Sequence, residues 1–228
     1  MMICKWKKIP EEMKTDEVYE YWKILRKRNF SLFWKRVFDI VFSFLMLILL
    51  SPLFLILAIA IKADSKGPVF YRQERVTQYG RRFRIHKFRT MYMDSDKGNQ
   101  VTVSNDDRIT KIGRKIRRLR LDETAQIFDI FLGTMTFVGT RPEVPKYVDQ
   151  YTNEMKATLL LPAGVTSLAS IKYKDEDELL ENSENVDETY INDVLPGKME
   201  YNLQALRKQG FWRDIGIMFK TVGAVLRR

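Results

Sequence analysis

The chain has 228 residues and a net charge of +10, because 39 lysines and arginines outnumber 29 aspartates and glutamates. Such an excess of cations predicts anionic partners, namely lipid headgroups, nucleic acid or phosphorylated substrates. The single cysteine, Cys4, excludes a disulfide framework and a cysteine-based metal site within this chain. The length suffices for one compact domain.

Residues 1–36 combine aromatic and basic side chains. Tryptophan, tyrosine and lysine together suit the headgroup layer of a bilayer, so we predict an interfacial segment here. An ordinary surface helix over residues 10–28 fits the same pattern.

Residues 37–61 are almost entirely apolar, and the exceptions are Asp39, Ser43 and the Ser51-Pro52 pair. About 20 such residues are enough to cross the hydrocarbon core of a bilayer as a helix. Pro52 removes a backbone donor in the middle of this run, and Ser51 can bond the carbonyl that is freed. Both flanks are basic, and cationic flanks favour the cytoplasmic side. A re-entrant helix that bends at Ser51-Pro52 satisfies both flanks, whereas a straight anchor that tolerates Pro52 satisfies one.

Two polar residues have structural interpretations. We expect Asp39 to lie at the membrane interface beside Lys35 or Arg36, because a lone charge in hydrocarbon is unfavourable. His86, the only histidine, falls in a strand pattern, which favours a packed or half-exposed position over a catalytic one.

The segment after the apolar run predicts a β-hairpin. Residues 69–76 and 81–92 show partial alternation and flank the turn at 77–80. The cations of both strands are candidate phosphate contacts. Residues 94–108 are polar and predict a loop.

An amphipathic helix is predicted over residues 109–119, where isoleucines recur at helical spacing opposite a face of lysines and arginines. Residues 136–142 predict a short strand and turn, and residues 143–161 a helix. An acidic stretch at 174–189 predicts a solvated loop or helix face. The segment from Phe211 onward is amphipathic, which suits a membrane interface or packing on the domain.

The carboxylate pair Asp122-Glu123 directly follows the cationic helix. Nearby cations depress the pKa of a carboxyl and keep it ionised. An ionised aspartate can attack phosphorus, and a second carboxylate can hold Mg²⁺ that bridges to substrate phosphates. Arginines and lysines can neutralise the charge that develops as a pyrophosphate breaks. The alternative is an N-terminal capping pair on a helix that begins at Thr124.

Seven blocks of the sequence occur in the order that a known family shows: KRVFDIVFSFLMLILLSPLFLILAIAIK, GPVFYRQERV, GRRFRIHKFRTM, DRITKIGRKIRR, LDETAQ, MTFVGTRP and GVTSLAS. On these blocks the chain resembles the bacterial sugar transferase family over residues 31–225. The members of this family are monotopic phosphoglycosyl transferases, which start surface-glycan assembly on a polyprenol phosphate. Thr140 replaces the first proline of the family's Pro-Arg-Pro element, so the subgroup and the sugar stay open.

The resemblance implies a membrane hairpin broken at Ser51-Pro52, with the active site at the cytoplasmic face. It implies that Asp122 attacks the β-phosphorus of a UDP-sugar, releases UMP and holds the phosphosugar until undecaprenyl phosphate attacks it. Glu123, together with Asp122, would ligate Mg²⁺. The resemblance assigns phosphate, nucleotide or further active-site roles to Lys87, Arg89, Arg117, Arg141 and Asp187.

We therefore predict an α+β protein of the bacterial inner membrane, with a small β-hairpin or sheet and interfacial helices. Its parts are an N-terminal interfacial segment (1–36), a re-entrant membrane helix (37–61) and a cytoplasmic catalytic domain (62–228). The expected partners are a UDP-sugar, undecaprenyl phosphate and anionic lipid headgroups; no nucleic acid is expected, and a homodimer is left open. The competing hypotheses are a membrane-anchored basic module that binds anionic lipid or nucleic acid without catalysis, and a degenerate scaffold.

Overall fold

The computed structural model of the chain describes residues 2–93, 108–173 and 185–226. Most of the predicted loop at 94–108 and of the acidic stretch at 174–189 lies outside these residues. The described part mixes helices with two small two-stranded sheets, which confirms the α+β class. Its helices are α1 (Asp16–Lys27), α2 (Asn29–Asp64), α3 (Lys111–Arg118), α4 (Gln126–Leu132), α5 (Pro145–Val148), α6 (Leu168–Lys172), α7 (Val186–Thr189), α8 (Leu195–Arg207) and α9 (Phe211–Leu226). Its strands are β1 (Phe70–Val76), β2 (Arg82–Phe88), β3 (Met135–Val138) and β4 (Ala163–Thr166).

Helix α2 contains the apolar run and continues through Pro52. It is long and apolar enough to cross a membrane, and only 11% of its most apolar 18-residue window is buried within the protein. A helix that packed inside a soluble core would be mostly buried instead. The Ser51 hydroxyl donates to the Ile48 carbonyl at 2.8 Å. Because Pro52 offers this carbonyl no amide donor, the bond confirms the predicted role of Ser51.

Helix α4 contacts both halves of α2, one on each side of Pro52. From the first half, Arg36 donates to the carbonyls of Ile130 at 2.7 Å and Phe131 at 3.0 Å. From the second half, the Phe54 ring lies 5.8 Å from the ring of Phe128. The short helix α4 therefore contacts residues of α2 on both sides of Pro52.

The buried charges of α2 have partners beyond those that the sequence predicts. Asp39 is 1% exposed and accepts a hydrogen bond from the Thr136 hydroxyl at 2.6 Å. Lys35 forms a buried ion pair with Asp214 of α9 at 2.9 Å. The charges of Lys35 and Arg36 act on Asp39, as predicted, while β3 and α9 supply the direct bonds that the sequence does not reveal.

Strands β1 and β2 form the predicted antiparallel hairpin, with Val76 opposite Arg82 and Phe70 opposite Phe88. The turn between them holds Tyr79 in the left-handed region at φ 59°. His86 is packed as expected. Its Nδ1 lies 2.9 Å from Asp129 on α4, so the hairpin is joined to that helix.

Strand β3 is predicted from the sequence, but its partner strand is not. β3 pairs in parallel with β4, which the sequence pattern does not predict. The strand ends approach so closely that a Cβ on Gly164 would lie 2.1 Å from the Gly139 nitrogen. The helix predicted over residues 143–161 is largely wrong, since only α5 and a 3₁₀ turn at Met155–Leu160 form there.

The N-terminal segment is packed on the domain. Helix α1 begins at the cap Thr15 and buries Val18, Tyr21 and Leu25 in a cluster with Leu160. This packing favours the interpretation of residues 10–28 as a surface helix.

Thr136→Val keeps the side-chain shape but leaves the buried Asp39 without its hydroxyl donor. We expect a loss of about 1–3 kcal/mol in the free energy of unfolding, measured by denaturation in detergent. Thr158→Val is the matched control, because the Thr158 hydroxyl is also buried but bonds only the nearby Met155 carbonyl. Equal losses in the two variants would contradict a special role for the Asp39 contact.

Candidate active site

The carboxylate pair lies on a 3₁₀ turn, Leu121–Ala125, between α3 and α4. Helix α3 ends at Arg118, and Arg120 adopts the left-handed region at φ 54°, which redirects the chain. The turn packs against β2 and α3. Helix α4 has Ala125 at its N-cap position and no side-chain capping bond, so the capping interpretation of Asp122 and Glu123 is wrong.

Glu123 is held by cations from two other elements. Arg141, which follows β3, forms a two-pronged ion pair with the Glu123 carboxylate. Lys87 of β2 places its Nζ 3.6 Å from Glu123 Oε1. The turn after α3, the second strand of the hairpin and the end of β3 therefore meet at one carboxylate.

The two carboxyls of the pair differ in their electrostatics. Burial opposes the charge of Glu123, but Arg141 and Lys87 outweigh it and hold the pKa of Glu123 well below its usual range. Burial and the adjacent Glu123 raise the pKa of Asp122, although Lys87 and Arg117 act in the opposite direction. The expectation of depressed pKa values is thus correct for Glu123 and wrong for Asp122.

Arg117 lies where its charge acts on Asp122. One of its guanidinium nitrogens, Nη1, is buried and has no hydrogen-bond partner within the part of the chain that the structure describes. A buried donor without a partner is unfavourable. This nitrogen is therefore a donor that an anionic ligand could satisfy.

The other two predicted substrate contacts have protein partners. The Arg89 guanidinium donates to the carbonyls of Lys66 at 2.7 Å and Ser65 at 2.8 Å, so its described contacts tie β2 to the end of α2. Asp187 accepts from Lys146 at 2.5 Å and from Tyr147 at 2.7 Å. The structure thus joins Lys87, Arg117 and Arg141 to the carboxylate pair, and it gives Arg89 and Asp187 bonds elsewhere.

Sequence reasoning missed a buried polar cluster behind Arg141. It consists of Glu143, Tyr190 and Lys198, and the charge of Arg75 acts on it. Glu143 follows Arg141-Pro142 directly, and that proximity was the available signal. Nothing local marks Tyr190 or Lys198, because each comes from a distant segment.

Metal binding by the protein alone is not supported by the described ranges, which contain no group of three or more His, Cys, Asp or Glu side chains placed to hold an ion. Mg²⁺, however, is commonly bound by one or two carboxylates, with substrate phosphates and water as the other ligands. The adjacent carboxylates of Asp122 and Glu123 suit that second mode.

A mostly unburied apolar helix beside a carboxylate pair among cations is the arrangement expected of a membrane-associated protein that handles phosphorylated substrates. The family model for bacterial sugar transferases matches residues 30–228, and the chain belongs to this family. The apolar run of α2, the carboxylate pair and the cations around it all fall within the matched region.

Three relatives illustrate the similarity. The chain is 36% identical over 198 residues to the UDP-glucose:undecaprenyl-phosphate glucose-1-phosphate transferase of Klebsiella pneumoniae, which covers 84% of this chain and 40% of the relative. It is 34% identical over 198 residues to the UDP-N-acetylgalactosamine-undecaprenyl-phosphate N-acetylgalactosaminephosphotransferase of Aeromonas hydrophila, covering 85% and 44%. It is 33% identical over 221 residues to the undecaprenyl-phosphate galactose phosphotransferase of Salmonella typhimurium, covering 90% and 42%. The chain therefore spans less than half the length of these relatives.

The different environments of the two carboxyls predict their titration. In metal-free protein, we expect Asp122 to titrate above the usual aspartate range, and we expect Glu123→Gln to lower the pKa of Asp122 because it removes the adjacent negative charge. NMR of carboxyl carbons in protein labelled with ¹³C-aspartate measures this. Glu74→Gln, at an exposed position of β1, is the control and should leave the pKa of Asp122 unchanged. A pKa of Asp122 at or below the usual range would contradict the assignment.

Proposed function

We propose that the chain transfers a sugar-1-phosphate from a UDP-sugar to undecaprenyl phosphate and releases UMP. The observation that carries the proposal is the half-buried carboxylate pair, in which Arg141 and Lys87 hold Glu123 and the charge of Arg117 acts on Asp122. A buried nitrogen of Arg117 has no hydrogen-bond partner among the residues that the structure describes. The activities for which the relatives are named support the same substrates. They name glucose, N-acetylgalactosamine and galactose, so they do not select one sugar.

The first step is a displacement at phosphorus. A carboxylate oxygen of Asp122 forms a bond to the β-phosphorus, the bond from that phosphorus to the bridging oxygen breaks, and UMP leaves with the electron pair. A raised pKa makes the ionised Asp122 more basic, and therefore a stronger nucleophile, than an ordinary aspartate. In the second step, a phosphate oxygen of undecaprenyl phosphate attacks the same phosphorus, and Asp122 leaves as a carboxylate.

The cations bind and orient the diphosphate. The buried Nη1 of Arg117 would donate to a phosphate oxygen of the substrate, and Lys87 and Arg141 supply positive charge beside Glu123. Asp122 and Glu123 would hold Mg²⁺ with substrate oxygens, and the ion would neutralise charge on the leaving phosphate. Arg89 contributes by fixing the end of α2 against β2.

The membrane arrangement that we propose is a re-entrant hairpin on the cytoplasmic face of the inner membrane. Residues 36 and 54 would lie about 27 Å apart in a straight helix, yet both contact the seven-residue helix α4. Packing of α4 against both arms supports a bend at Pro52.

Surfaces around the hairpin also suit a bilayer. Trp212, Phe219 and Leu132 are large apolar side chains that lie outside α2 and are exposed. The cations on the exposed face of α3 suit anionic headgroups. These cations are Lys111, Arg114, Lys115 and Arg118.

The transfer reaction is tested with Asp122→Asn. The amide cannot act as an anionic nucleophile, so we expect it to abolish UMP release and the covalent phosphosugar adduct while the protein stays membrane-bound. The assay incubates the purified protein with a panel of UDP-sugars, undecaprenyl phosphate and Mg²⁺, and intact-protein mass spectrometry detects the adduct.

Asp149→Asn, a change of the same kind at an exposed position, is the control and should keep wild-type turnover. Normal turnover by Asp122→Asn would remove this residue as the nucleophile. If wild-type protein binds anionic vesicles in a salt-sensitive way but releases no UMP with any donor, the chain is the non-catalytic basic module instead.

The hairpin is tested by labelling the two flanks of α2. Single cysteines at Lys27 and Lys66, both exposed, are introduced into a Cys4→Ser background and treated with a membrane-impermeant maleimide. We expect both to react in inverted vesicles and neither in spheroplasts. Reaction of the two positions from opposite sides would establish the straight anchor.

A further inference from the structure

The tripeptide Arg141-Pro142-Glu143 is held against the rest of the protein at each residue. Arg141 reaches the carboxylate pair through its side chain. The Pro142 carbonyl accepts a hydrogen bond from Arg75 Nη1 at 3.2 Å, and the Glu143 carbonyl accepts one from the Val76 amide at 3.0 Å. The backbone on both sides of the active-site arginine is therefore fixed to the end of β1 on one side and to β3 on the other.

The side chain of Glu143 lies in the buried polar cluster with Tyr190 and Lys198. Glu143 is 6% exposed, and its Oε1 accepts from the Tyr190 hydroxyl at 2.7 Å. Lys198 Nζ lies 3.5 Å from the same oxygen and donates to the Tyr190 hydroxyl at 2.9 Å. Burial opposes the charge of Glu143, but Lys198 and Arg75 hold its pKa below the usual value.

A buried ion pair of this kind adds little net stability, because desolvation of the two charges offsets their attraction. Its attested use is to specify one geometry among several. Tyr190 also begins a π-helical turn, Tyr190–Val194, between α7 and α8, and such turns occur often at functional sites. Stability alone therefore does not explain why the chain has this buried ion pair and the π-helical turn that carries Tyr190.

We infer that Glu143 is a positioning residue, which with Tyr190 and Lys198 fixes the segment after β3 so that Arg141 meets Glu123. The inference rests on the proposed function and extends it to residues that do not touch the reacting atoms. Glu143 lies two residues from Arg141, so a change in how its side chain is held moves the arginine. Helix α8, which carries Lys198, becomes a support of the active site.

A double-mutant cycle tests whether Glu143 acts through Arg141. Glu143→Gln keeps the side-chain size and an acceptor for Tyr190 but removes the charge that faces Lys198. We expect it to lower kcat/KM for UMP release about tenfold, and to cause no further loss when it is added to Arg141→Ala. Independent, multiplicative losses in the double variant would overturn the inference.

Asp214→Asn is the matched control, because it is also an acid-to-amide change beside a buried lysine, Lys35. It should reduce thermal stability, and any effect on kcat/KM should multiply with that of Arg141→Ala. Tyr190→Phe removes a single hydroxyl and serves if Glu143→Gln does not fold. Its smaller loss should also vanish in the Arg141→Ala background, and a loss that persists there would contradict positioning.

Hydrogen exchange separates this inference from the proposed reaction. We expect Glu143→Gln to speed amide exchange in residues 139–143 of the ligand-free protein, and Asp214→Asn to leave that segment unchanged. If wild-type protein releases no UMP with any donor, the proposed function fails while the exchange result still decides positioning. Unchanged exchange in Glu143→Gln overturns the inference, as does full activity of Arg141→Ala.

Discussion

The ion pair between Glu123 and Arg141 is the contact on which the site depends. It joins a turn after α3 to the end of β3, and Lys87 brings the β-hairpin to the same carboxylate. Because these cations keep Glu123 charged, its negative charge raises the pKa of the adjacent Asp122. Two neighbouring carboxyls in different environments can take different roles, one as a permanent anion and one as a basic nucleophile.

Polar contacts, and not apolar packing alone, connect the apolar helix α2 to the elements of this site. In its first half, Asp39 bonds Thr136 of β3, the strand that leads to Arg141. At its last residue, Asp64 accepts from the Ile112 amide of α3, the helix that leads to Asp122. These contacts link the position that α2 would take in a bilayer to the elements on both sides of the carboxylate pair. Such a link would suit a substrate whose phosphate lies at the membrane surface.

Local sequence patterns were sufficient to predict the β1–β2 hairpin, α3 and the carboxylate pair. The reason is that alternation, helical spacing and adjacency each depend on only a few neighbouring residues. Features that depend on distant packing were not predictable. Strand β4 forms because β3 offers it a parallel edge, and Asp39 finds Thr136 only after the chain has folded back. Leu119 continues the spacing of α3, yet it is 60% exposed, because the helix ends one residue earlier. The cluster of Glu143, Tyr190 and Lys198 was not predictable either, because these residues come together only through distant packing.

Among the residues that the structure describes, more cations than carboxylates act on the region around the pair. The cations are Arg75, Lys87, Arg117, Arg141 and Lys198, and the carboxylates are Asp122, Glu123 and Glu143. Cations collected in a partly buried region repel one another, and burial itself lowers the pKa of Lys87. A ligand that carries negative charge relieves both effects, and the proposed diphosphate substrate would do so next to Asp122. The repulsion between these cations in the free protein therefore becomes attraction for the anionic group on which Asp122 would act.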